Sequence, residues 1–272
     1  MASLDGKVVL VTGATDGLGR AVAADLAREG ATVLVHGRDP ARIADTVHEV
    51  AALGSAERVR AYQADFEGLA GVRLLADQVT AAEPRLDVLV NNAGIGTSNP
   101  GGGIRQESAD GHELRFAVNY LAGYVLTMRL LPLLRASAPS RIVNVASLGQ
   151  QAIDFADVML TEDYDGLRAY RQSKLAQILF TFDLAAELDD SGVTVNALHP
   201  ATFMPTKLSH AAPISTIAQG AAATMRLITG PAAEIGTGRY FNSLEEARAH
   251  DQAYDPGARR QLREVSEKLT GQ

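Results

Sequence analysis

Cysteine is absent from this 272-residue chain. That excludes a disulfide framework and any thiolate metal site, and it fits a cytoplasmic protein. No basic segment followed by an apolar one stands in Met1–Gly6, so no secretory signal is expected. Basic charge is short: 25 Lys and Arg against 32 Asp and Glu give a net charge of −7. A nucleic-acid partner normally requires a basic face, so none is expected. Long hydrophobic runs are missing too. The uncharged stretch Phe116 to Met128 is too short to cross a bilayer and contains Asn119 and Tyr120, so no membrane span is expected. No histidine is spaced to join His199 as a ligand, so no metal site is expected. No repeat, low-complexity tract or linker divides the chain, which points to one domain over residues 1–272.

What is present is a regular alternation. Hydrophobic residues make up 46% of the chain, enough for a full core. Lys7–Thr12 is a β-branched run ending at glycine, which predicts a strand buried on both faces. Gly17–Glu29 carries Leu18, Val22 and Leu26 at helical spacing, and Gly30 stops it. The pattern continues through strands 31–35, 58–63, 86–90, 141–145, 193–198 and 238–241. Helices are predicted over 40–53, 69–82, 110–135 (with Pro132 bending its last turn), 166–188 and 216–228. Alternating β and α units imply an α/β, Rossmann-type doubly wound parallel sheet of about seven strands, helices on both faces. Such a sheet binds its ligand beyond the carboxyl ends of the strands, near the switch point.

Four signatures sit at or just after those ends. Thr12-Gly13-Ala14-Thr15-Asp16-Gly17-Leu18-Gly19 joins the first strand to the first helix. There, backbone N–H groups can close on a phosphate at the positive helix terminus. An ordinary βα turn would look the same, so this loop alone is weak. Asn91-Asn92-Ala93-Gly94 ends the fourth strand, and Ser147 follows the fifth. Tyr170 and Lys174 are four apart in a helix and so share one face. An unperturbed tyrosine titrates near 10, and a nearby ammonium would lower that value and make Tyr170 a usable proton carrier. A serine hydroxyl beside it can hold a carbonyl oxygen. A turn role for Ser147 and a surface role for the Tyr170/Lys174 pair are the plainer alternatives. Past the second strand, the place where an NAD site carries a carboxylate is Gly37, followed by Arg38. A guanidinium there suits a 2′-phosphate, which favours NADP(H) and leaves NAD(H) open; a solvated arginine is the alternative.

Together, these signatures resemble those of the short-chain dehydrogenase/reductase family, over nearly the whole chain from Lys7 to Phe241. The resemblance implies a hydride-transferring oxidoreductase acting on a carbonyl or alcohol. Its catalytic set would be Asn119, Ser147, Tyr170 and Lys174, with Asn119 helping to hold a water that connects Lys174 to solvent. Cofactor contacts carried over are Gly13, Thr15, Asp16, Gly17, Leu18, Gly19, Arg38, Asp65, Phe66, Asn92, Ala93, Gly94, Tyr170, Lys174 and Pro200. For Asp65 a helix cap is the alternative, for Asn92 to Gly94 support of the sheet, and for Asn119 a buried helix-bending asparagine. The chain has Pro200-Ala201 where the family usually has Pro-Gly, and the threonine that follows best matches Thr206, one place late. The family also implies a homodimer or homotetramer, formed through helices 116–134 and 166–188; core packing would give the same apolar pattern.

Ser147 and Tyr170 are farther apart than is usual in the family. The added stretch resembles an extension in the retinol dehydrogenase and protochlorophyllide reductase branch, whose substrates are large and apolar. Segments 150–166 and 201–213, the latter with Phe203, Met204 and Leu208, are therefore candidate lids over an apolar small molecule; surface packing is the alternative. Residues 244–272 are expected to form a charged tail with a surface helix. A nucleotide-sensing binding protein on the same fold is the competing function, and the Tyr170/Lys174 pair counts against it.

Overall fold

A computed structural model describes residues 4–97, 103–206 and 212–271. Its eight-stranded sheet has the order β3-β2-β1-β4-β5-β6-β7-β8. The strands are β1 Val8–Val11, β2 Thr32–Gly37, β3 Val59–Gln63, β4 Val88–Asn91, β5 Ser140–Val145, β6 Val193–His199, β7 Arg239–Asn242 and β8 Glu245–Glu246. The first seven are parallel; β8 pairs antiparallel with β7. The order reverses between β1 and β4, which opens a crevice at their carboxyl ends. β8 is the departure from the seven strands expected. It is two exposed glutamates with no apolar signal, set against β7 by a turn at Ser243 (φ +56°).

The sheet divides the interior into two apolar layers. One is filled by α1 (Gly17–Arg28) and α7 (Ile217–Thr229), whose Leu18, Val22, Leu26 and Leu227 pack on Val9, Val11 and Val33. The other is filled by α3 (Leu69–Ala82), α5 (Ala122–Ala136) and α6 (Gly166–Glu187). The remaining helices are α2 (Pro40–Ala51), α4 (Leu114–Phe116), α8 (Ala232–Ile235) and α9 (Pro256–Thr270).

The long helix expected over 110–135 starts late and is not uniform. Its first residues turn back on themselves instead, with Ser108 N–H donating to His112 O at 2.8 Å, and Asp110 accepts Leu69 N–H. Then α4 passes into a π-turn at Ala117–Leu121, where Ala122 N–H reaches back to Ala117 O, before α5 continues. Pro132 lies in α5, which ends at Ala136. Leu114–Ala136 is long and apolar enough to cross a membrane, yet 72% of its most apolar window is buried inside the protein. It is a core helix.

The C-terminal segment also differs from a solvated tail. α9 lays Ala258, Leu262, Ser266 and Thr270 inward. Tyr120 and Ser266 hydroxyls meet at 2.7 Å, and Arg263 pairs with Asp183 of α6. α9 is thereby packed against α6 of the same chain. Its outer polar face gave the charged appearance.

Candidate active site

The carboxyl ends of β1, β2, β4, β5 and β6 converge on one cavity of about 780 Å³. Of the residues carried over as site residues, Gly13, Thr15, Asp16, Gly17, Leu18, Gly19, Arg38, Asp65, Phe66, Asn92, Ala93, Gly94, Ser147, Tyr170, Lys174 and Pro200 all line it. Asn119 does not.

The glycine loop is tied to the sheet by hydroxyl and amide groups. The Thr12 hydroxyl donates to Val90 O and accepts from Asn92 N–H (2.9 Å) and Ala93 N–H (3.0 Å). The Asn92 amide donates to Thr12 O and Gly13 O. Asn92 therefore supports the loop, whatever else it touches. A Cβ at Gly19 would sit 2.3 Å from Gly13 O, so only glycine lets the helix begin this close to the loop. Asp16 caps α1 by accepting from Gly17 N–H.

At the far end, a Cβ at Gly37 would lie 2.5 Å from Thr15 Cγ2, leaving no room for the carboxylate of an NAD-type site. Arg38 pairs with Glu67 at 2.8 Å. Arg42, which sequence reasoning missed, pairs with Asp16 at 2.7 Å, donates to Thr15 O, and also lines the cavity. Helical periodicity had placed it on α2 with nothing to aim it at the loop. Asp65 accepts from Glu67 N–H in the turn before α3, and the helix is capped at Gly68, so Asp65 is not its cap. His36, also missed, accepts from Gly13 N–H through Nδ1 and contacts Ala64 O through Nε2. It stacks on Phe66 with ring centroids 4.4 Å apart. Burial lowers its pKa to about 4.

Tyr170, Ser147 and Lys174 meet at the middle of the cavity. The Ser147 hydroxyl accepts from Gly149 N–H and neighbours the Tyr170 phenol in the same cavity. Ser147's carbonyl is pinned by the Tyr240 hydroxyl (3.0 Å) and the Gln150 amide (3.0 Å). Lys174 Nζ lies 5.8 Å from the Tyr170 ring centre and donates to Val145 O (2.9 Å) and Gln177 Oε1 (3.0 Å). An ammonium has three donors, so one direction remains beyond these two. The electrostatics differ from the sequence expectation. Burial pushes the Tyr170 phenol up, and the polar Ser147 side chain opposes that. Burial also lowers Lys174 to about 7, so its ammonium is not the dominant influence on the phenol.

Asn119 sits inside the π-turn. Its Oδ1 accepts from Ile95 N–H at 2.7 Å, and its Nδ2 donates to Ile95 O and Ser173 Oγ. His199 bonds the Thr202 hydroxyl at 3.0 Å, and burial lowers its pKa to about 4. It is a satisfied neutral histidine at the cavity wall. Among the described residues no group of His, Cys, Asp and Glu could hold a metal ion.

On the substrate side the two lid candidates part. None of residues 150–166 lines the cavity, which is bordered instead by Leu148, Gly149 and Leu167 on either side of them. The segment is fastened down: Ile153 exchanges two hydrogen bonds with Gln252, and Phe155, Val158 and Met159 pack on the core. Ala201, Thr202, Phe203, Met204 and Thr206 do line the cavity, and Thr206 lies over Gly17. Leu208 falls outside the described residues.

This arrangement of loop, Ser147, Tyr170 and Lys174 on a parallel sheet agrees with the comparisons. The family model for short chain dehydrogenase matches residues 7–214. The chain belongs to the short-chain dehydrogenase family. Retinol dehydrogenase 14 of Mus musculus is 36% identical over 295 residues, spanning 98% of this chain and 87% of its own. Human retinol dehydrogenase 11 is 35% identical over 281 residues, with 98% and 87% covered. Among solved structures, the RhlG/NADP active-site complex of Pseudomonas aeruginosa is similar at TM-score 0.70 and 29% identity, covering 88% of this chain and 95% of its own. A short chain dehydrogenase from Burkholderia cenocepacia in complex with NADP gives TM-score 0.70 and 28% identity, covering 89% and 97%. The protein is a nicotinamide-dependent oxidoreductase of this family, in the branch of the retinol dehydrogenases.

Proposed function

We propose that this short-chain dehydrogenase is an NADP(H)-dependent enzyme acting on a carbonyl, or the corresponding secondary alcohol, of a largely apolar small molecule. The observation that carries the reading is the meeting of Ser147, Tyr170 and Lys174 in one cavity with the glycine loop. When bound, the nicotinamide supplies or accepts the hydride. Tyr170 gives a proton to the substrate oxygen during reduction and takes it back during oxidation. Ser147 orients that oxygen and stabilises its developing charge. Lys174, aimed by Val145 O and Gln177, keeps one N–H for the cofactor's sugar.

The loop from Gly13 to Gly19 would hold the pyrophosphate on backbone N–H groups at the start of α1. Arg38 and Arg42 flank Gly37 and would clasp a 2′-phosphate, exchanging their pairings with Glu67 and Asp16. Two relatives of known structure hold NADP, which supports this choice. The apolar substrate class rests on the cavity mouth, where Leu148, Leu167 and Phe203 are 52%, 40% and 49% exposed. It also agrees with the names of the curated relatives, since retinol is a large apolar alcohol.

The test is cofactor consumption across hydrophobic ketones, aldehydes and alcohols, with NADPH and NADH compared. Losing a charge-assisted phosphate bond costs about 1.5–3 kcal/mol, so Arg38→Ala should narrow the NADPH/NADH ratio of kcat/KM about ten- to a hundredfold. An unchanged ratio would place the phosphate elsewhere. Cofactor binding with no turnover on any of these compounds would favour a nucleotide-sensing role.

A further inference from the structure

The inserted segment 150–166 does not line the cavity, yet one of its side chains reaches a buried ion cluster that holds the cavity wall. The wall is the turn after β4, where Ile95 and Thr97 face the cavity. Buried backbone carbonyls that leave a sheet need donors from elsewhere. Two side chains one helical turn apart provide them. Asn119 bonds both Ile95 N–H and Ile95 O. Arg115, fully buried, donates from Nε to Gly96 O at 2.9 Å and from Nη2 to Thr97 O at 2.8 Å. Its third direction, Nη1, donates to the Tyr164 hydroxyl at 2.6 Å. Tyr164 passes its own proton to Glu113 Oε1 at 2.8 Å, and Glu113 Oε2 accepts Phe116 N–H, capping α4.

A guanidinium with three directions fixed is a rigid fork. Tyr164 comes from the inserted segment, as does Met159, whose sulfur accepts Glu113 N–H. The Tyr164 hydroxyl both accepts from the arginine and donates to the carboxylate. That requires the neutral phenol, and burial beside Glu113 keeps Tyr164 protonated.

We propose that Arg115, held in place by Tyr164 and Glu113, is a positioning residue that fixes the Ile95–Thr97 wall, and that the inserted segment tunes acceptance of bulky substrates through this link. The inference rests on the reading of the cavity as a carbonyl-reducing site. A wall set this way acts on the fit of large substrates more than on the proton transfer at Tyr170.

Two measurements on the full-length protein separate the possibilities. Hydrogen exchange with NADPH present reads the wall without turnover; Tyr164→Phe, which removes one oxygen, should speed exchange in the 92–97 backbone about tenfold. Kinetics over ketones of increasing size should show KM for the bulkiest rising about tenfold in Tyr164→Phe, with the small ketones moving less and NADPH affinity unchanged. Arg115→Lys keeps the charge but loses the fork, and should not restore the wall. Unchanged exchange in Tyr164→Phe overturns the link whether or not the enzyme turns over. Faster exchange with KM unchanged across the series overturns the positioning role, as does an equal loss in KM, cofactor affinity and thermal stability. If the unmodified protein reduces no carbonyl, the proposed reaction fails, and the exchange result still decides the link.

Discussion

Neutral His36 holds the glycine loop, because its Nδ1 accepts the Gly13 N–H that a protonated ring would repel. Its pKa is lowered from 6.5 to about 4 by burial. The unfolded chain therefore binds a proton between pH 6.5 and 4 that the folded chain does not. The contribution is full above 6.5 and is lost as pH falls through that window, amounting to about 3 kcal/mol at most. His36→Gln should flatten the fall in urea midpoint between pH 6.5 and 4 relative to the unmodified protein; identical slopes would show that His36 is not the titrating group. This residue was not legible in the sequence. A histidine inside a β-branched strand gives no sign that its ring will reach a loop twenty-three positions earlier. Arg42 and Tyr240 were hidden for the same reason: their partners are distant in the chain and are brought together by the fold. Gln177, three residues past Lys174 on the same helix, could have been found from helical spacing. Tyr170, Lys174 and Ser147 were legible because a helical interval and a strand end fix where they point.

At the scale of elements, α9 is the part whose role the sequence concealed. Its charged outer face reads as a solvated tail, whereas Leu262, 2% exposed, and the Ser266–Tyr120 bond tie it to the core. Leu262→Ala should lower unfolding free energy by about 2–4 kcal/mol in denaturant titration. A loss under about 0.5 kcal/mol would mean that α9 is only laid on the surface. The parallel strands and the helices after them were legible, since buried β-branched runs and helical stripes alternate without ambiguity. What periodicity did not reveal was the π-turn at Ala117–Leu121 or the delayed start of that helix. Both depend on side-chain partners, Asn119 with Ile95 and Asp110 with Leu69.

For the whole molecule, one sheet places the loop, the arginines and the proton-transfer group around a single crevice, as the strand order requires. α9 pairs with α6 through Arg263 and Asp183, while helices 116–134 and 166–188 remain the faces expected to assemble. Light scattering tests that assembly: two or four times the 28.7 kDa of one copy is the expected result, and the mass of one copy would contradict it. The central claim is that Tyr170 moves the proton, and the direct measurement is its pH profile in both directions. Ketone reduction with NADPH and oxidation of the matching alcohol with NADP⁺ would be followed from about pH 6 to 10, in the unmodified protein and in Tyr170→Phe. The account predicts oxidation rising with pH, reduction falling, and a loss of about 10²–10⁴-fold in kcat for Tyr170→Phe, with NADPH affinity nearly intact. Near-normal kcat in Tyr170→Phe would contradict it. So would flat profiles in both directions with a deuteride isotope effect showing that chemistry limits the rate.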